Sequence, residues 1–169
     1  MTTTRVQDPT TTHPDYIADL IHESYAGPAW HGPCVVEALA GVDAEAATKR
    51  ISPHRHSIWE LVLHLAHGRH LLIERLTGET IQPFPRAIKE PWWPASPADL
   101  SETAWLVDRD LLDDYQERLL AAIRAATPEQ LARIPDRSDT PISRQLVGMA
   151  LHDTYHAGQI KLMALAAGV

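Results

Sequence analysis

The 169 residues of this chain include 15 lysines and arginines against 22 aspartates and glutamates, which gives a formal net charge of −7. Nucleic-acid binding is usually carried by a basic stripe, and the scattered basic residues here form none, so we expect no nucleic-acid partner. The single cysteine, Cys34, excludes an intrachain disulfide and suits a reducing, cytoplasmic compartment. No apolar run is long enough to span a membrane.

The N-terminal segment MTTTRVQDPTTTH is polar and rich in threonine. It has neither the apolar core nor the small-residue cleavage pattern of a signal peptide. We therefore expect a disordered leader over residues 1–13 and one domain over residues 14–169.

Two helical pieces are predicted near the start of that domain. Residues 15–25 place apolar side chains at helical spacing, and the segment AGPAWHGP then breaks the pattern with two Gly-Pro pairs. Residues 34–39 predict a second, short piece after the break.

A long helix is predicted over residues 56–78, with Ser57 as its N-cap and Gly78 as its end. At 100° per residue its apolar side chains share one face, which is expected to look inward. The proline-rich segment 79–100 shows no sustained periodicity and predicts a long loop or lid with one short helical turn. Its adjacent Trp92 and Trp93 fit either an apolar lid or a partner surface.

The C-terminal half predicts two more long helices. Residues 102–126 follow the cap Ser101, and residues 127–143 predict one helical turn and a loop. The last helix, residues 144–166, is apolar around most of its circumference and is expected at the centre of a bundle. Without a convincing strand pattern, the fold class predicted is all-α, a four-helix bundle with one long connecting loop.

Two histidines stand four residues apart in the last helix, within LHDTYHAGQIKLM. His152 and His156 share one helix face with Cβ atoms about 5–6 Å apart, and imidazoles at that spacing can bind one metal ion. Asp153 stands where the zincin motif HExxH has glutamate, so the pair does not indicate a zincin protease. Alone, the pair fits a metal site and two hydrogen-bonded structural histidines about equally.

A third ligand is expected from the helix over residues 56–78, whose histidines are His56, His64, His67 and His70. His64 borders the apolar stripe and is placed to reach inward, whereas His67 and His70 lie on the side that carries glutamates. A lone histidine at a stripe edge is more often structural. Together, however, His64, His152 and His156 predict a three-histidine site with open coordination positions, which is typical of a catalytic metal centre.

Neighbouring polar residues admit two interpretations each. Gln159, one turn beyond His156, either orients a metal-bound water or ligand or is a polar group at the mouth of the bundle. Asp153 and Tyr155 are either hydrogen-bond partners that orient the imidazoles or, respectively, an exposed aspartate and a packed tyrosine; the exposed position is slightly favoured for Asp153. Arg69, in the middle of the apolar stripe, either anchors an anionic substrate or marks the end of the buried section, which is favoured.

Three segments together resemble the DinB-like superfamily, also described as YfiT-like metal-dependent hydrolases. They are SYAGPAWHGPCVVEALAGV, HSIWELVLHLAHGRHLLIERL and HDTYHAGQIKLM. The resemblance extends over residues 14–167. Its most specific part is a histidine in the second long helix followed, much later in the chain, by HDTYHAGQI.

This resemblance implies a DinB-like four-helix bundle, usually dimeric, with a divalent metal held by His64, His152 and His156. It also implies that the metal binds a low-molecular-weight thiol such as bacillithiol or mycothiol. The leading hypothesis is thus a metal-dependent thiol S-transferase with a small-molecule substrate. The alternatives are a metal-dependent hydrolase that uses a metal-bound water and a non-enzymatic metal- or ligand-binding bundle. Zinc or nickel is the expected transition metal, with iron as a third candidate.

Overall fold

The structure is a computed structural model that describes residues 13–136 and 138–169. The predicted leader lies outside these residues except for His13, whose ring nitrogen Nδ1 accepts a hydrogen bond from the backbone N–H of Asp15. The described chain is mostly helical, as expected for an all-α protein. None of its helices combines the length and the apolar character that crossing a membrane requires.

Helices and strands follow one another in a simple order. They are α1 (Pro14–Ala26), α2 (Val35–Ala38), α3 (Ala44–Thr48), α4 (Ile58–Thr77), β1 (Ile88–Glu90), β2 (Trp93–Pro94), α5 (Glu102–Arg124), α6 (Pro128–Ala132) and α7 (Ile142–Ala167). The long helices lie within two residues of their predicted bounds, whereas α3 and both strands were not predicted.

The ends of α4 follow the predicted capping signals. The Ser57 hydroxyl accepts from the backbone N–H of Glu60, and the Glu60 carboxylate accepts from that of Ser57, which completes a capping box. Gly78 has φ of 76° and donates its N–H to the Glu74 carbonyl, a conformation that favours glycine. The predicted cap Ser101 likewise accepts from a backbone N–H of α5. These three boundaries are confirmed.

The four long helices pack around one apolar core. α4 contacts α5 on one side and α7 on another, while α1 contacts both α7 and α5. The indole rings of Trp59 and Trp105 lie in this core with 5.2 Å between their centroids, and each side chain is almost fully buried. Burying a large apolar side chain stabilises a fold by about 1.5–3 kcal/mol, so this ring pair stabilises the contact between α4 and α5.

Helix α7 does not lie at the centre, contrary to the expectation from its composition. Its side chains Leu151, Tyr155, Leu162 and Leu165 are 60–69 % exposed. At 100° per residue these four positions fall within an arc of about 80°. Apolar composition alone does not reveal which side of a helix its neighbours cover, and here the main neighbours of α7, which are α1, α4 and α2, leave this arc exposed.

The segment between α4 and α5 contains a small hairpin instead of the predicted helical turn. Strands β1 and β2 pair antiparallel, with Glu90 opposite Trp93. Pro91 and Trp92 form the connection, and Trp92 has φ of 75°. Strands of two or three residues carry too little alternation to be recognised in a sequence, which is why the segment looked like an irregular loop.

Two side-chain contacts fasten this hairpin to the helices beside it. Arg86 pairs with the buried Asp108 of α5 at 2.5 Å between Nη2 and Oδ1. Ser96 donates to the Glu60 carboxylate of α4 at 2.6 Å. The loop therefore has a defined position over one face of α4.

Candidate metal centre

Three histidines meet at the edge of the α4–α7 contact. His152 Nε2 lies 2.9 Å from His64 Nε2 and 3.0 Å from His156 Nε2. The three ligand atoms all lie within 4.8 Å of one another, so this group could hold a metal ion. Nitrogens bound at 2.0–2.1 Å to one tetrahedral ion are about 3.4 Å apart. The structure thus brings the three predicted residues together at near-ligand spacing, and their role as metal ligands stays a prediction.

Two of the imidazoles are oriented by acceptors that cannot donate. His64 Nδ1 lies 2.8 Å from the Trp92 carbonyl oxygen, and His156 Nδ1 lies 2.7 Å from Gln159 Oε1. Because a carbonyl oxygen only accepts, each Nδ1 carries the proton and each neutral ring keeps its lone pair on Nε2. Gln159 Nε2 in turn donates to the Tyr155 hydroxyl at 3.0 Å. Both lone pairs therefore point to the shared centre, as metal ligation requires.

The third ring, His152, has an incomplete set of partners. Its Nδ1 is buried and finds no hydrogen-bond partner in the described part of the chain. Its Nε2 faces the two lone pairs of His64 and His156, and one proton cannot fully satisfy both. A cation among the three Nε2 atoms would remove this competition, because each ring could then direct a lone pair at it while Nδ1 carries the ring proton. The donor set therefore fits a divalent transition metal.

Burial holds all three rings in their neutral form. Burial is the main cause that lowers the pKa of His64 to about 4 and that of His152 to about 3, and the neighbouring imidazoles lower both further. The pKa of His156 is also lowered mainly by burial, although its hydrogen bond to Gln159 acts in the opposite direction. Neutral imidazole is the form that binds metals, so the three rings are available near pH 7.

The hairpin covers one side of this group. The Trp93 indole is stacked between His56 and His64, with ring centroids 3.5 Å and 4.1 Å away. Trp92, with its positive φ, directs its carbonyl to His64 Nδ1. A left-handed backbone is unfavourable for a bulky residue and is often found at functional sites. Of the two predicted uses of the tryptophan pair, the structure favours the lid for Trp93, whereas the Trp92 side chain is half exposed.

A cavity of about 440 Å³ opens on the other side, next to His64 and His152. It lies between α4 and α7, with apolar walls that include Leu72 and Met149 and with Arg75 at its far end. This volume lies in the range of small-molecule sites. Among its described lining residues there is no carboxylate.

Asp153 is not the exposed aspartate that the sequence slightly favoured. It is fully buried, and its Oδ2 lies 2.8 Å from Arg69 Nη2 and 3.3 Å from the Ser24 hydroxyl. Arg69 is also fully buried and donates from Nε to Gln116 Oε1 at 2.7 Å. Both interpretations of Arg69 were therefore wrong, because the carboxylate of the facing helix α7 neutralises it inside the core. Neither side chain forms a hydrogen bond with the three histidine rings.

The structure also defines the contacts of Tyr155 and Gln159. Tyr155 is exposed rather than packed, and it touches His156 only through ring contact at 5.0 Å between centroids. Gln159 Oε1 contacts the imidazole Nδ1 of His156 directly, and its role at the site stays a prediction.

His67 and His70, expected on the polar side of α4, are in fact buried. Phe84 from the loop lies 5.0 Å and 5.7 Å from their ring centroids, and the Tyr115 hydroxyl lies 3.1 Å from His70 Nδ1. The long loop covers this side of the helix, and a helical wheel contains no information about loops. Neither ring joins the group around His152.

Two contributors to the site were not identified from the sequence. The Trp92 carbonyl is a backbone group, so no residue type signals it, although the Pro-Trp-Trp-Pro run does mark a turn. Arg75 lies on α4 eleven residues beyond His64, close to the same helix face. That spacing was a usable signal.

Comparison with known proteins identifies the family of the chain. A family model described as the DinB superfamily matches residues 35–160, which is most of the chain and includes the histidine group together with Gln159. No curated protein and no solved structure matches the chain.

Proposed function

The chain belongs to the DinB superfamily, and from that premise we propose that it is a metal-dependent thiol S-transferase with the four-helix bundle of that family. The observation that carries the proposal is the convergence of three Nε2 atoms, from His64, His152 and His156, beside an open cavity. Three protein ligands leave a coordination position for a reactant, which is the pattern of catalytic rather than structural sites.

The metal proposed is a divalent transition ion, with zinc or nickel first and iron third, because imidazole suits all three. When bound, such an ion lowers the pKa of a coordinating thiol, so that the thiolate is available as a nucleophile near neutral pH. The Trp92 carbonyl and Gln159 hold two of the imidazoles in the required tautomer. Such outer partners commonly decide metal affinity as much as the ligands do.

The cavity next to the histidines would hold the electrophilic substrate. Leu72 and Met149 would exclude water from its apolar part and keep it against His64 and His152. The sulfur of a low-molecular-weight thiol then forms a bond to the electrophilic carbon, and the leaving group departs with its bonding electron pair. The thiol proton passes to solvent.

The absence of a carboxylate from the described cavity lining supports thiol transfer over hydrolysis. Attack by a metal-bound water is commonly assisted by a general base within hydrogen-bond reach, and the acid next to His152 in the sequence, Asp153, is paired with Arg69 in the core. A thiolate needs no such base once it is deprotonated. The hydrolase and the non-enzymatic metal-binding bundle remain the alternatives that experiment must separate.

The first test is the metal content of the tag-free protein by plasma mass spectrometry. We expect about one equivalent of transition metal per chain, lost in the double variant His64→Ala, His152→Ala. The matched control is His22→Ala, His54→Ala, which removes two exposed histidines outside the group and should keep the metal. A parent that takes up no zinc or nickel would contradict the proposal.

The second test is catalysis by the metal-loaded protein. A low-molecular-weight thiol and a chromogenic aryl halide should react faster with the parent than with the His64→Ala, His152→Ala variant, while circular dichroism shows both folded. Ester hydrolysis without thiol transfer would favour the hydrolase. Metal binding without either activity would favour the non-enzymatic bundle.

A homodimer and a cytoplasmic location remain expectations. The exposed apolar side chains of α7, namely Leu151, Tyr155, Leu162 and Leu165, support the dimer because patches of this kind often mark protein interfaces. Light scattering coupled to gel filtration should give twice the mass of one chain, and Leu162→Lys should shift the protein toward the monomer.

A further inference from the structure

The cavity beside the histidines is a groove with two chemically different ends. His64 faces His152 at one end, and Arg75 faces Gln145 at the other, so α4 and α7 run antiparallel along it. His64 and Arg75 are eleven residues apart on α4, and the residues that they contact on α7, His152 and Gln145, are seven apart, which corresponds to about 10 Å along that helix. A ligand that reaches both ends must therefore be elongated.

Arg75 is held in place but not neutralised. Its Nη1 donates to Gln145 Oε1 at 2.9 Å, and its guanidinium carbon lies 5.5 Å from the centroid of the Trp92 ring. Gln145 is oriented by its own amide, which donates to the Thr140 carbonyl at 2.8 Å and to the Ser138 hydroxyl at 3.3 Å. Over residues 13–136 and 138–169, no carboxylate forms an ion pair with Arg75. Most of its five N–H donors remain for a ligand.

The middle of the groove is apolar, with glycines on both helices. Leu72 and Met149 line it together with Gly68 and Gly148. A Cβ added at Gly148 would meet no atom within 4 Å, and one at Gly68 would lie 3.3 Å from the end of the Met149 side chain. A larger side chain at Gly148 would therefore enter open space along the groove. The glycines leave room for an apolar ligand body.

We propose that this groove binds a substrate that carries a carboxylate on an apolar body. The carboxylate pairs with Arg75, and the body lies between Leu72 and Met149 with its other end toward the histidines. One guanidinium matches the single charge and two oxygens of a carboxylate. A phosphate dianion would need further cations, and Arg75 is the only lysine or arginine in the described lining.

This inference deepens the proposed function, and it rests on that function in placing the reacting group of the substrate at the histidine end. Arg75 lies far from the reacting atoms and acts as a specificity residue. The carboxylate preference itself depends only on the groove, so it can be measured without metal.

The experiment compares octanoate with octanamide, which have the same length and differ in charge, by calorimetric titration of the full chain stripped of metal. We expect octanoate to bind at least ten-fold more tightly than octanamide. Arg75→Gln should remove this preference by weakening octanoate alone. Arg124→Gln removes the same charge at the end of α5, where Arg124 approaches only Asp19 among the described acids, and should keep the preference.

A steric variant tests the location of the apolar body. Gly148→Leu should weaken both ligands at least ten-fold, and thermal unfolding should show a stable protein because leucine favours helix over glycine. Equal affinities in the parent, no binding of either compound, or a preference that survives Arg75→Gln would each overturn the inference.

The failure of this inference can be told apart from the failure of the proposed function. A chain that prefers octanoate but takes up no zinc or nickel would contradict the metal-dependent function alone. A chain that binds metal through its histidines but shows no preference for octanoate would contradict the carboxylate groove alone.

Discussion

Two polar clusters lie between α4 and α7, and neighbouring residues of α7 belong to different ones. Asp153 pairs with Arg69 in the core, where both side chains are fully buried and opposite charges meet. His152 meets His64 and His156 at the edge of a cavity, where three neutral rings compete for one proton and a buried nitrogen has no partner among the described residues. Both clusters contain buried polar atoms without a partner among the described residues, namely Asp153 Oδ1 and Gln116 Nε2 in the first and His152 Nδ1 in the second. The first cluster neutralises its own charges, whereas the second is uncharged and gathers three nitrogens at one point where a metal ion could be held. This difference separates a structural polar cluster from a binding site.

The largest difference between the two clusters is expected when Asp153 is substituted. Asp153→Asn keeps the shape of the side chain but leaves the Arg69 guanidinium buried without its counter-ion. Removing one partner of a buried ion pair typically lowers the free energy of unfolding by about 3–5 kcal/mol. Urea unfolding should show a loss of this size, while the metal content of the folded protein stays unchanged.

The matched control introduces asparagine at the preceding position, His152. His152→Asn should lose the metal and change the unfolding free energy of the metal-free protein by less than about 1 kcal/mol, because His152 is only partly buried and its Nε2 contacts two imidazoles that share a single proton with it. If both variants destabilised the protein equally, the distinction between the two clusters would be wrong.

A dependence on pH is the next largest effect expected. The pKa of His64 is about 4 and that of His152 is about 3 when folded, against 6.5 for an unperturbed histidine. The unfolded chain therefore binds more protons below pH 6.5, so the metal-free protein loses stability as pH falls. Each ring contributes at most about 1.4 kcal/mol per pH unit, and screening by solvent reduces the total to about 2 kcal/mol between pH 6.5 and 5.

The measurement is urea unfolding of the metal-free protein at pH 7.5, 6.5 and 5.0. The His64→Ala, His152→Ala variant should show a flatter dependence than the parent. Some slope should remain, because burial also lowers the pKa of His67 and of His70. Equal slopes in the parent and the variant would show that the cluster is not held neutral by the fold.

A smaller effect on metal binding is expected from loss of the hydrogen bond between His156 Nδ1 and Gln159 Oε1. Gln159→Leu removes the acceptor that fixes the Nδ1–H tautomer of this ring, and the loss of such a partner typically weakens metal binding 10–100-fold. Competition with a chromophoric chelator measures the metal affinity of the parent and of each variant. Tyr155→Phe should weaken metal binding less than ten-fold, since the hydroxyl contacts Gln159 and not the imidazole. An unchanged affinity in Gln159→Leu would mean that the ring is oriented by packing alone.

Much of the local structure could be read from the sequence because its causes are local. Ser57, Gly78 and Ser101 mark helix ends through contacts within four residues. His152 and His156 share a face because any α-helix places residues four apart on one side. His64 was identified as the inward ring from its position at the edge of an apolar stripe, and it does lie in the group.

The partners of the polar residues were decided only by tertiary structure. Asp153 and Arg69 are far apart in the chain, and no periodicity shows that two oppositely charged side chains will meet inside the core. The Trp92 carbonyl reaches His64 because the loop folds back over α4, and loop placement depends on distant contacts such as Arg86 with Asp108.

The sequence by itself determined the long helices, three of their ends and a face of α7 that carries two histidines, because each depends on residues a few positions apart. Tertiary structure decided which polar groups neutralise one another, which remain available to a ligand, and which apolar face of α7 stays exposed. The physical reason is that burial and charge pairing depend on which neighbouring helix or loop covers a side chain, and those neighbours come from distant parts of the chain.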